Sequence, residues 1–316
     1  MKIVVLDDYQ RVARTYGPFD SLAGAEVEVV HEHIADPGEL AAALRGAEVV
    51  VAMRERTPFR SFDKLPDLRL LVTTGMVNAA IDLAAAAAHG VTVCGTEPAG
   101  SGYANTAELT WALILAVQRH VVTEDRAVRE GRWQTTVGTD LAGSTLGVLG
   151  LGRLGTQVAR VGQAFGMRVI AWSQNLTPER AAEGGATYVS KDELFATSDV
   201  LTVHLKLSRR TTGLIGAAEL AAMKPSAVLV NTSRGPIVDE AALVTALTAG
   251  TIAGAGLDVF DVEPLPAGHP LRDAPNTVLL PHIGYVTDAG YRAMYEQAVE
   301  DIRAWQAGAP VRVLTP

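Results

Sequence analysis

Three polar side chains with catalytic potential each follow a predicted strand of this sequence. Arg234, Glu263 and His282 come shortly after apolar, β-branched runs that are typical of buried strands. Any one of them alone is typical of a structural position, such as an arginine in a surface ion pair, a glutamate in a turn or a histidine in a core. Open parallel sheets bind ligands beyond the carboxyl ends of their strands. The recurrence of these three side chains at successive strand ends therefore indicates one site that can hold an anion and transfer a proton.

A glycine-rich turn supplies a second chemical signal. The predicted strand 146–149 leads directly into glycines at 150, 152 and 155, and a helix-compatible segment follows. Gly150 permits a tight turn, Gly152 lets the backbone approach a pyrophosphate, and Gly155 lets the helix pack on the strand. A flexible loop can have the same pattern, but the position between a strand and a helix predicts a dinucleotide site.

The residue expected at the cofactor ribose is Ser173, at the end of the next predicted strand. NAD enzymes usually carry an acidic residue there, which holds the ribose hydroxyls and repels a 2′-phosphate. A neutral hydroxyl removes that repulsion, but the nearest following arginine, Arg180, is several residues away. The sequence therefore predicts NAD or NADP, with NADP at least tolerated, and leaves the preference open.

Composition and charge exclude several classes of partner. The formal net charge of −8 argues against nucleic acid, which needs a concentrated basic surface. No signal-peptide pattern is present, and no apolar stretch reaches the ~18 residues that cross a bilayer. The single cysteine, Cys94, has apolar neighbours and is predicted to be a buried, inert thiol, which fits a reducing cytoplasm. We expect a cytoplasmic protein with no metal site and no membrane partner.

The elements that must position these residues follow a βαβ rhythm. Short β-branched runs alternate with Ala/Leu-rich amphipathic segments, which predicts parallel sheets, and 316 residues suggest roughly two domains. The pattern breaks in a turn-rich stretch near residue 98, before a predicted helix over 105–120. After His282, a helical run at 289–307 leads into 311–314, which could return to the first domain. The predicted strands are 3–6, 27–30, 49–52, 70–73, 91–93, 146–149, 169–172, 200–205, 228–231, 254–259 and 278–280.

Taken in order, these motifs resemble the D-isomer-specific 2-hydroxyacid dehydrogenase family. The resemblance spans most of the chain and also covers Ala107-Glu108, Gly131-Arg132-Trp133, Met223-Lys224-Pro225 and the run 238–254. It implies an α/β fold of two Rossmann-like, doubly wound parallel-sheet domains. The first, flavodoxin-like and discontinuous, would be the substrate-binding domain, 1–98 plus 285–316. The second, 99–284, would be the NAD(P)-binding Rossmann domain.

The same resemblance implies hydride transfer between nicotinamide and C2 of a small 2-hydroxy or 2-keto acid. Reduction of the keto acid puts negative charge on the carbonyl oxygen, so an acid must protonate it and a cation must hold the carboxylate. His282 is the expected acid, and the base in the reverse direction, since imidazoles titrate near neutral pH. Glu263 would fix the imidazole tautomer, and the forked guanidinium of Arg234 would hold the substrate.

The cofactor is expected to contact the glycine turn and several strand ends. His204 is read as a residue that lines this site and not as the acid, and the role of Lys206, where relatives often have proline, is left open. The predicted cofactor-binding residues are Gly150, Gly152, Arg153, Leu154, Gly155, Ser173, His204, Leu205, Thr232, Ser233, Arg234, Asp258, His282 and Gly284.

In the first domain, two segments match parts of the family that contact substrate. Arg54 is expected to help hold the substrate, together with Arg234. The backbone of Gly75, Met76 and Val77 is expected to receive its carboxylate, although relatives commonly have a second glycine at position 77. Tyr285 either narrows the substrate pocket or packs at the domain boundary.

Other functions share this architecture. Formate dehydrogenase pairs its histidine with glutamine, and Glu263 argues against it. Transcriptional corepressors of the same fold act as nucleotide-sensing binding modules, but they usually add disordered extensions and charge runs that this chain lacks. The resemblance also implies a homodimer, with the helix at 105–120 as part of the contact. The natural substrate, for instance glyoxylate, hydroxypyruvate or phosphoglycerate, and the physiological direction stay open.

Overall fold

The computed structural model describes residues 1–53, 57–97 and 104–316. The chain divides into two compact units. The first domain comprises residues 1–102 and 286–316, and the second domain comprises residues 103–285. The chain thus leaves the first domain, completes the second and returns to the first.

Within the described residues, the first domain contains a five-stranded parallel sheet in the order β2-β1-β3-β4-β5. This is the flavodoxin-like order, in which the strand order reverses beside β1. The strands are β1 (Lys2–Val5), β2 (Glu26–Val29), β3 (Val49–Ala52), β4 (Leu70–Thr73) and β5 (Thr92–Gly95). The predicted discontinuous α/β fold is confirmed, since the helix α11 (Asp288–Gln306) packs on β4 and on the helix α1 (Ala13–Tyr16).

Helices cover the sheet of the first domain, and the last of them is the longest in it. Its buried face includes Tyr291, Tyr295 and Ile302. The first-domain helices are α1 (Ala13–Tyr16), α2 (Pro37–Ala43), α3 (Leu83–Ala88) and α11 (Asp288–Gln306), with a 3-10 turn at Phe19–Ser21. Residues 311–314 do not form a strand, but they pair with β5, because the Leu314 amide donates to the Val93 carbonyl at 2.8 Å.

In the described part of the second domain, seven parallel strands form one sheet in the order β12-β11-β10-β9-β6-β7-β8. The strands are β6 (Thr145–Leu149), β7 (Arg168–Trp172), β8 (Thr187–Tyr188), β9 (Val200–Val203), β10 (Val228–Asn231), β11 (Gly254–Leu257) and β12 (Thr277–Leu279). The order reverses between β6 and β9, where dinucleotides bind in Rossmann folds. Six strands were predicted, and that number was wrong because the two-residue strand β8 has no apolar run to mark it.

Helices pack on both faces of this sheet, so its central strands are buried on both sides and are continuously apolar. One face carries a core with Phe195, Leu220 and Leu243, and the opposite face carries a core with Trp111 and Val158. The second-domain helices are α4 (Ala104–Gln118), α5 (Val121–Arg129), α6 (Arg153–Ala164), α7 (Pro178–Glu183), α8 (Lys191–Thr197), α9 (Ala217–Ala222) and α10 (Glu240–Thr248), with 3-10 turns at Gly235–Ile237 and Pro270–Arg272.

Candidate active site

The glycine turn joins β6 to α6 with no room for side chains on its inner side. Gly150 has a φ of +102°, and a Cβ there would lie 2.7 Å from the His204 carbonyl oxygen. A Cβ at Gly155 would overlap the Gly150 carbonyl oxygen, so the first turn of α6 packs directly on the strand end. Both positions therefore require glycine for steric reasons.

The outer side of the same turn is open and suits a pyrophosphate. A Cβ at Gly152 would meet no atom within 4 Å. Gly152 is also the N-cap of α6 and provides no side-chain cap, so the first amides of this helix are available to an anion. Arg153 is exposed at the first helical position, and Leu154 is half-buried against the core. The residues present thus fit a dinucleotide.

Two predicted cofactor residues lie at the ends of the strands that flank β6. Ser173 is half-buried directly after β7, and His204 comes directly after β9. The His204 Nε2 lies 2.9 Å from the Thr202 Oγ1, and burial lowers the pKa of His204 to about 4. His204 is therefore uncharged at neutral pH and is a poor candidate for the proton donor.

A close imidazole–carboxylate pair lies at the other end of this sheet edge. His282 Nδ1 is 2.6 Å from Glu263 Oε2, and the side chains are only 14% and 19% exposed. The second Glu263 oxygen accepts the Phe260 amide at 3.0 Å, which fixes the carboxylate. Because an ionised carboxylate can only accept, Nδ1 carries the proton in this contact, and Nε2 is the ring nitrogen that would exchange a proton with a substrate.

Asp258 holds the loop on which His282 lies. It is 1% exposed, and its two carboxylate oxygens accept the Ile283 and Gly284 amides at 2.7 and 2.9 Å. His282 itself has a φ of +56°, which costs a non-glycine residue about 1–3 kcal/mol. Burial raises the pKa of Asp258, while the two amides and His282 favour its ionised form. Asp258 was predicted to bind cofactor, but its carboxylate is engaged with the backbone.

Arg234 lies on a loop that contacts the segment leading to Glu263. The Asn231 side chain donates to the Arg234 carbonyl at 2.9 Å and accepts the Ser233 amide at 2.9 Å. A Cβ at Gly235 would overlap the Phe260 backbone, so this loop passes directly over that residue. Arg234 is half-buried as a residue, and its Nη1 donates to the Ser233 carbonyl at 2.6 Å.

The sheet brings these three functional segments to one edge. The last residues of β10, β11 and β12 pair in register, as Asn231 with Leu257 and Leu257 with Leu279. Neighbouring strands are about 4.8 Å apart, so the loops that carry Arg234, Glu263 and His282 emerge side by side. The second domain is thus an α/β domain of the nucleotide-binding type, with a guanidinium and an imidazole–carboxylate pair at the edge where parallel sheets bind ligands.

Other predicted cofactor residues stabilise the loops around this edge. The Thr232 hydroxyl lies 2.8 Å from that of Thr110 on α4, and the Ser233 hydroxyl donates to the Leu205 carbonyl. Gly284 is buried, and its carbonyl accepts the Thr106 hydroxyl at 3.0 Å.

Of the predicted substrate residues in the first domain, Arg54 lies outside the described residues. Gly75, with a φ of +109°, follows β4, and its amide donates to the Thr96 hydroxyl at 3.0 Å. That amide is therefore engaged within the domain. Within the described residues no hydrogen bond is made by the amides of Met76 and Val77, whose residues are 37% and 71% exposed. These two remain the candidates for an anion.

A cavity of about 600 Å³ in the second domain contains none of the predicted site residues. Among the residues lining it, Glu240 accepts the Asp261 amide at 2.8 Å and pairs with His269 at 3.2 Å. These contacts brace the loop that carries Glu263. The described residues include no group of three side chains able to hold a metal ion, and none of their helices is both long and apolar enough to cross a bilayer.

Sequence reasoning missed the contribution of α4 to the site. Asn105 and Thr106, near its N-terminus, donate to the carbonyls of Tyr285 and Gly284 at 3.5 and 3.0 Å. The Tyr285 ring lies edge-on to the His282 ring, with centroids 5.9 Å apart. Only the three-dimensional packing reveals these contacts, because about 180 residues separate the partners.

Comparisons with known proteins agree with this architecture. The family model for the NAD-binding domain of D-isomer-specific 2-hydroxyacid dehydrogenases matches residues 111–284. A glyoxylate reductase of Aeropyrum pernix is 40% identical over 294 residues, which are 90% of this chain and 87% of that relative. A phosphoglycerate oxidoreductase structure from Vibrio cholerae has a TM-score of 0.93 at 36% identity and covers 98% of this chain and 100% of its own. A D-lactate dehydrogenase from Aquifex aeolicus, solved with NAD and lactic acid, has a TM-score of 0.79 at 27% identity, with 97% and 96% covered.

The chain belongs to the D-isomer-specific 2-hydroxyacid dehydrogenase family, as the sequence motifs predicted. It is a nicotinamide-dependent oxidoreductase that transfers a hydride between its cofactor and C2 of a 2-hydroxy or 2-keto acid. NAD is the cofactor that the family model and the solved relative both name.

Proposed function

We propose that this enzyme reduces small 2-keto acids, with glyoxylate and hydroxypyruvate as the first candidates, and that His282 is its acid–base residue. The 2.6 Å contact between His282 Nδ1 and Glu263 Oε2 carries this proposal. It leaves Nε2 as the nitrogen that gives a proton to the keto oxygen during reduction and removes it during oxidation. Glu263 stabilises the positive charge that the ring bears before it donates.

Arg234 binds the substrate carboxylate and the keto oxygen in this proposal. A guanidinium offers parallel N–H donors that match a carboxylate, and its half-buried position strengthens their attraction. The backbone amides of Met76 and Val77 are further candidates for the carboxylate. The ring of Tyr285 beside the imidazole limits the space for a substituent on the keto acid, which favours small substrates such as the one named for the Aeropyrum pernix relative.

The dinucleotide would be held by the Gly150–Gly155 turn, with its pyrophosphate at the N-terminus of α6 and its adenosine ribose at Ser173. When bound, the nicotinamide supplies or accepts the hydride. The neutral Ser173 allows NADP as well as NAD, because no carboxylate stands at this position to repel a 2′-phosphate.

The test is an assay of NADH and NADPH oxidation with glyoxylate, hydroxypyruvate and other 2-keto acids. We expect turnover by the wild-type protein, and a loss of at least about a hundredfold in kcat for His282→Ala, because general acid catalysis contributes about 10²-fold or more. Nucleotide affinity, measured by fluorescence titration, should barely change.

The matched control is His89→Ala, which removes an exposed histidine of the first domain that pairs with Asp63. It should keep wild-type turnover. Unchanged turnover in His282→Ala would remove that residue from the mechanism. Tight nucleotide binding without turnover of any keto acid would favour a nucleotide-sensing module.

The protein is also proposed to work as a homodimer through the second domain. Residues 132–135 and 137 are exposed on an irregular segment that follows α5, and apolar side chains recur along it and along α5. Exposed large apolar side chains that recur along neighbouring segments support an interaction site. We call it the apolar arm; its members are Val121, Val122, Val128, Trp133 and Val137, which are 51%, 46%, 52%, 76% and 92% exposed.

A reducing cytoplasm is the proposed compartment. Cys94 is fully buried, and burial raises the pKa of its thiol to about 12, so it is the inert thiol that the sequence predicted. Such a cysteine needs no oxidising environment for its structural role.

A further inference from the structure

A cluster of positive charge follows β9 on a protein whose net charge is −8. Lys206, Arg209 and Arg210 are all exposed, and within the described residues none of the three forms a salt bridge. The sequence from 200 to 216 contains no acidic residue. We call the segment 206–210 the basic loop. It contains no acidic residue that would neutralise its three positive charges.

The basic loop begins at the dinucleotide turn. β9 pairs with β6, and the last residue of each strand is in register, Val203 with Leu149. The His204 amide donates to the Leu149 carbonyl at 2.8 Å, and the His204 carbonyl lies against Gly150. The loop thus leaves the sheet at the same level as the glycine turn.

The other neighbour of β6 is β7, which ends beside Ser173. Leu149 pairs with Trp172, so Ser173, Gly150 and His204 lie at one level across three adjacent strands. Two strand spacings, about 10 Å, separate Ser173 from His204. An adenosine ribose bound at Ser173 would therefore lie across the glycine turn from the start of the basic loop, at a distance that long basic side chains can span.

Hydrogen bonds from two hydroxyl groups fix the backbone of the basic loop. The Thr211 hydroxyl donates to the Lys206 carbonyl at 2.8 Å and accepts the Ser208 amide at 2.8 Å. The Ser233 hydroxyl anchors the preceding residue through the Leu205 carbonyl. Positive groups on a fixed backbone bind an anion with less loss of conformational entropy.

We propose that Lys206, Arg209 and Arg210 form the subsite for the 2′-phosphate of NADP, so that this enzyme prefers NADP(H). The inference rests on the nucleotide site of the proposed function. In this proposal the 2′-phosphate is recognised by the charges that follow β9, the strand on the other side of β6, and not by an arginine immediately after β7. It also gives a role to Lys206, which no other feature of the site explains.

Arg180 is the competing source of charge. It lies on α7, which follows β7, and its side chain is exposed. Its position after Ser173 in the chain makes it the alternative that the experiment must separate from the basic loop.

The experiment is isothermal titration calorimetry of the full chain with adenosine 2′,5′-bisphosphate and with adenosine 5′-monophosphate. These probes differ only in the 2′-phosphate, and their binding requires no keto acid or hydride transfer. We expect the wild-type protein to bind the bisphosphate at least about tenfold more tightly, the size of one charge-assisted hydrogen bond.

Lys206→Ala should reduce this preference but not abolish it, and the variant with all three basic residues replaced by alanine should lose it. Affinity for the monophosphate should stay within about twofold. Arg160→Ala, which removes an exposed charge from α6, is the charge-matched control and should keep the preference.

Equal affinity of the wild-type protein for both probes would overturn the inference, as would an unchanged preference in the triple variant. Loss of the preference in Arg180→Ala alone would assign the phosphate to α7 and overturn it too. A protein that prefers the bisphosphate but turns over no keto acid would contradict the proposed reaction and leave this subsite standing.

Discussion

Two carboxylates hydrogen-bond to the segment that carries the His282 imidazole, and they contact different parts of it. Glu263 faces the His282 ring, while Asp258 accepts the two amides that follow that residue. Glu263 therefore acts on the charge and tautomer of the ring, and Asp258 acts on its position. The two amide hydrogen bonds of Asp258 help to hold His282 in its left-handed backbone conformation.

Replacing Ser173 with aspartate should shift the nucleotide preference toward NADH. A carboxylate at the ribose repels a 2′-phosphate, so we expect kcat/KM for NADPH to fall at least about tenfold relative to NADH. The ratio is measured with one keto acid at saturating concentration. Ser173→Ala is the neutral control and should leave the ratio near the wild-type value, whereas an unaltered ratio in Ser173→Asp would mean that this position does not face the ribose.

His204 predicts a pH dependence of stability. Its folded pKa of about 4 lies below the unfolded value of about 6.5, so the unfolded state binds more protons between these values and stability falls as the pH is lowered through this window. His204→Asn should remove up to about 2 kcal/mol of the loss between pH 6.5 and pH 5. Urea unfolding at both pH values measures this.

His89 provides a control, because its pKa shift has the opposite sign to that of His204. The Ala85 carbonyl and then Asp63 raise the pKa of His89, so its contribution is present at low pH and is lost as the pH rises through the folded value. His89→Asn should not make the protein more resistant to acid. An equal pH dependence in wild type and His204→Asn would contradict the buried, neutral state of His204.

The identities of the candidate catalytic residues could be read from the sequence because strand ends in a parallel sheet share an edge. The backbone role of Asp258 could not, since it depends on two amides from a loop 25 residues further along the chain. The engagement of the Gly75 amide by Thr96 was hidden for the same reason. Sequence patterns identify side chains that could take part in catalysis, whereas the hydrogen-bond partner of each group depends on loop conformation.

At the scale of elements, the contact between β6 and α6 depends on the absence of a Cβ atom at Gly155. Gly155→Ala puts a methyl group into the Gly150 carbonyl oxygen. We expect a loss of about 1–3 kcal/mol in the free energy of unfolding, together with weaker nucleotide binding, because the helix must move away from the turn. Chemical denaturation and nucleotide titration measure the two effects.

Gly152→Ala is the matched variant, because its Cβ would point into open space. It should weaken nucleotide binding by obstructing the pyrophosphate while costing less than about 1 kcal/mol of stability. If both variants lost the same stability, the packing argument for Gly155 would be wrong.

Most strands could be predicted from the sequence because burial on both faces makes them continuously apolar. Two predicted strands ran too far, to residues 205 and 259, whereas β9 ends at Val203 and β11 at Leu257. The apolar pattern continues past each strand because the following loops are partly buried, as at Phe260. An apolar run in the sequence indicates burial, whereas hydrogen bonding between strands determines where each strand ends.

At the scale of the whole molecule, the apolar arm predicts self-association. Trp133→Ser combined with Val137→Ser should convert a dimer to a monomer, because these two residues have the largest exposed fractions of the arm. Sedimentation velocity over a range of concentrations measures the change. Val311→Ser, which alters an exposed valine of the first domain, should leave the dimer intact, and a wild-type protein that sediments as a monomer throughout would refute the proposal.

The discontinuity of the first domain has a consequence during synthesis. A ribosome delivers residues 103–285 as one uninterrupted piece, so the second domain can close as soon as that piece has emerged. The first domain must wait for α11 and for the pairing of residues 311–314 with β5. Until residues 288–314 leave the exit tunnel, the face of β4 that α11 covers is bare, and we expect a nascent chain at that stage to bind chaperones.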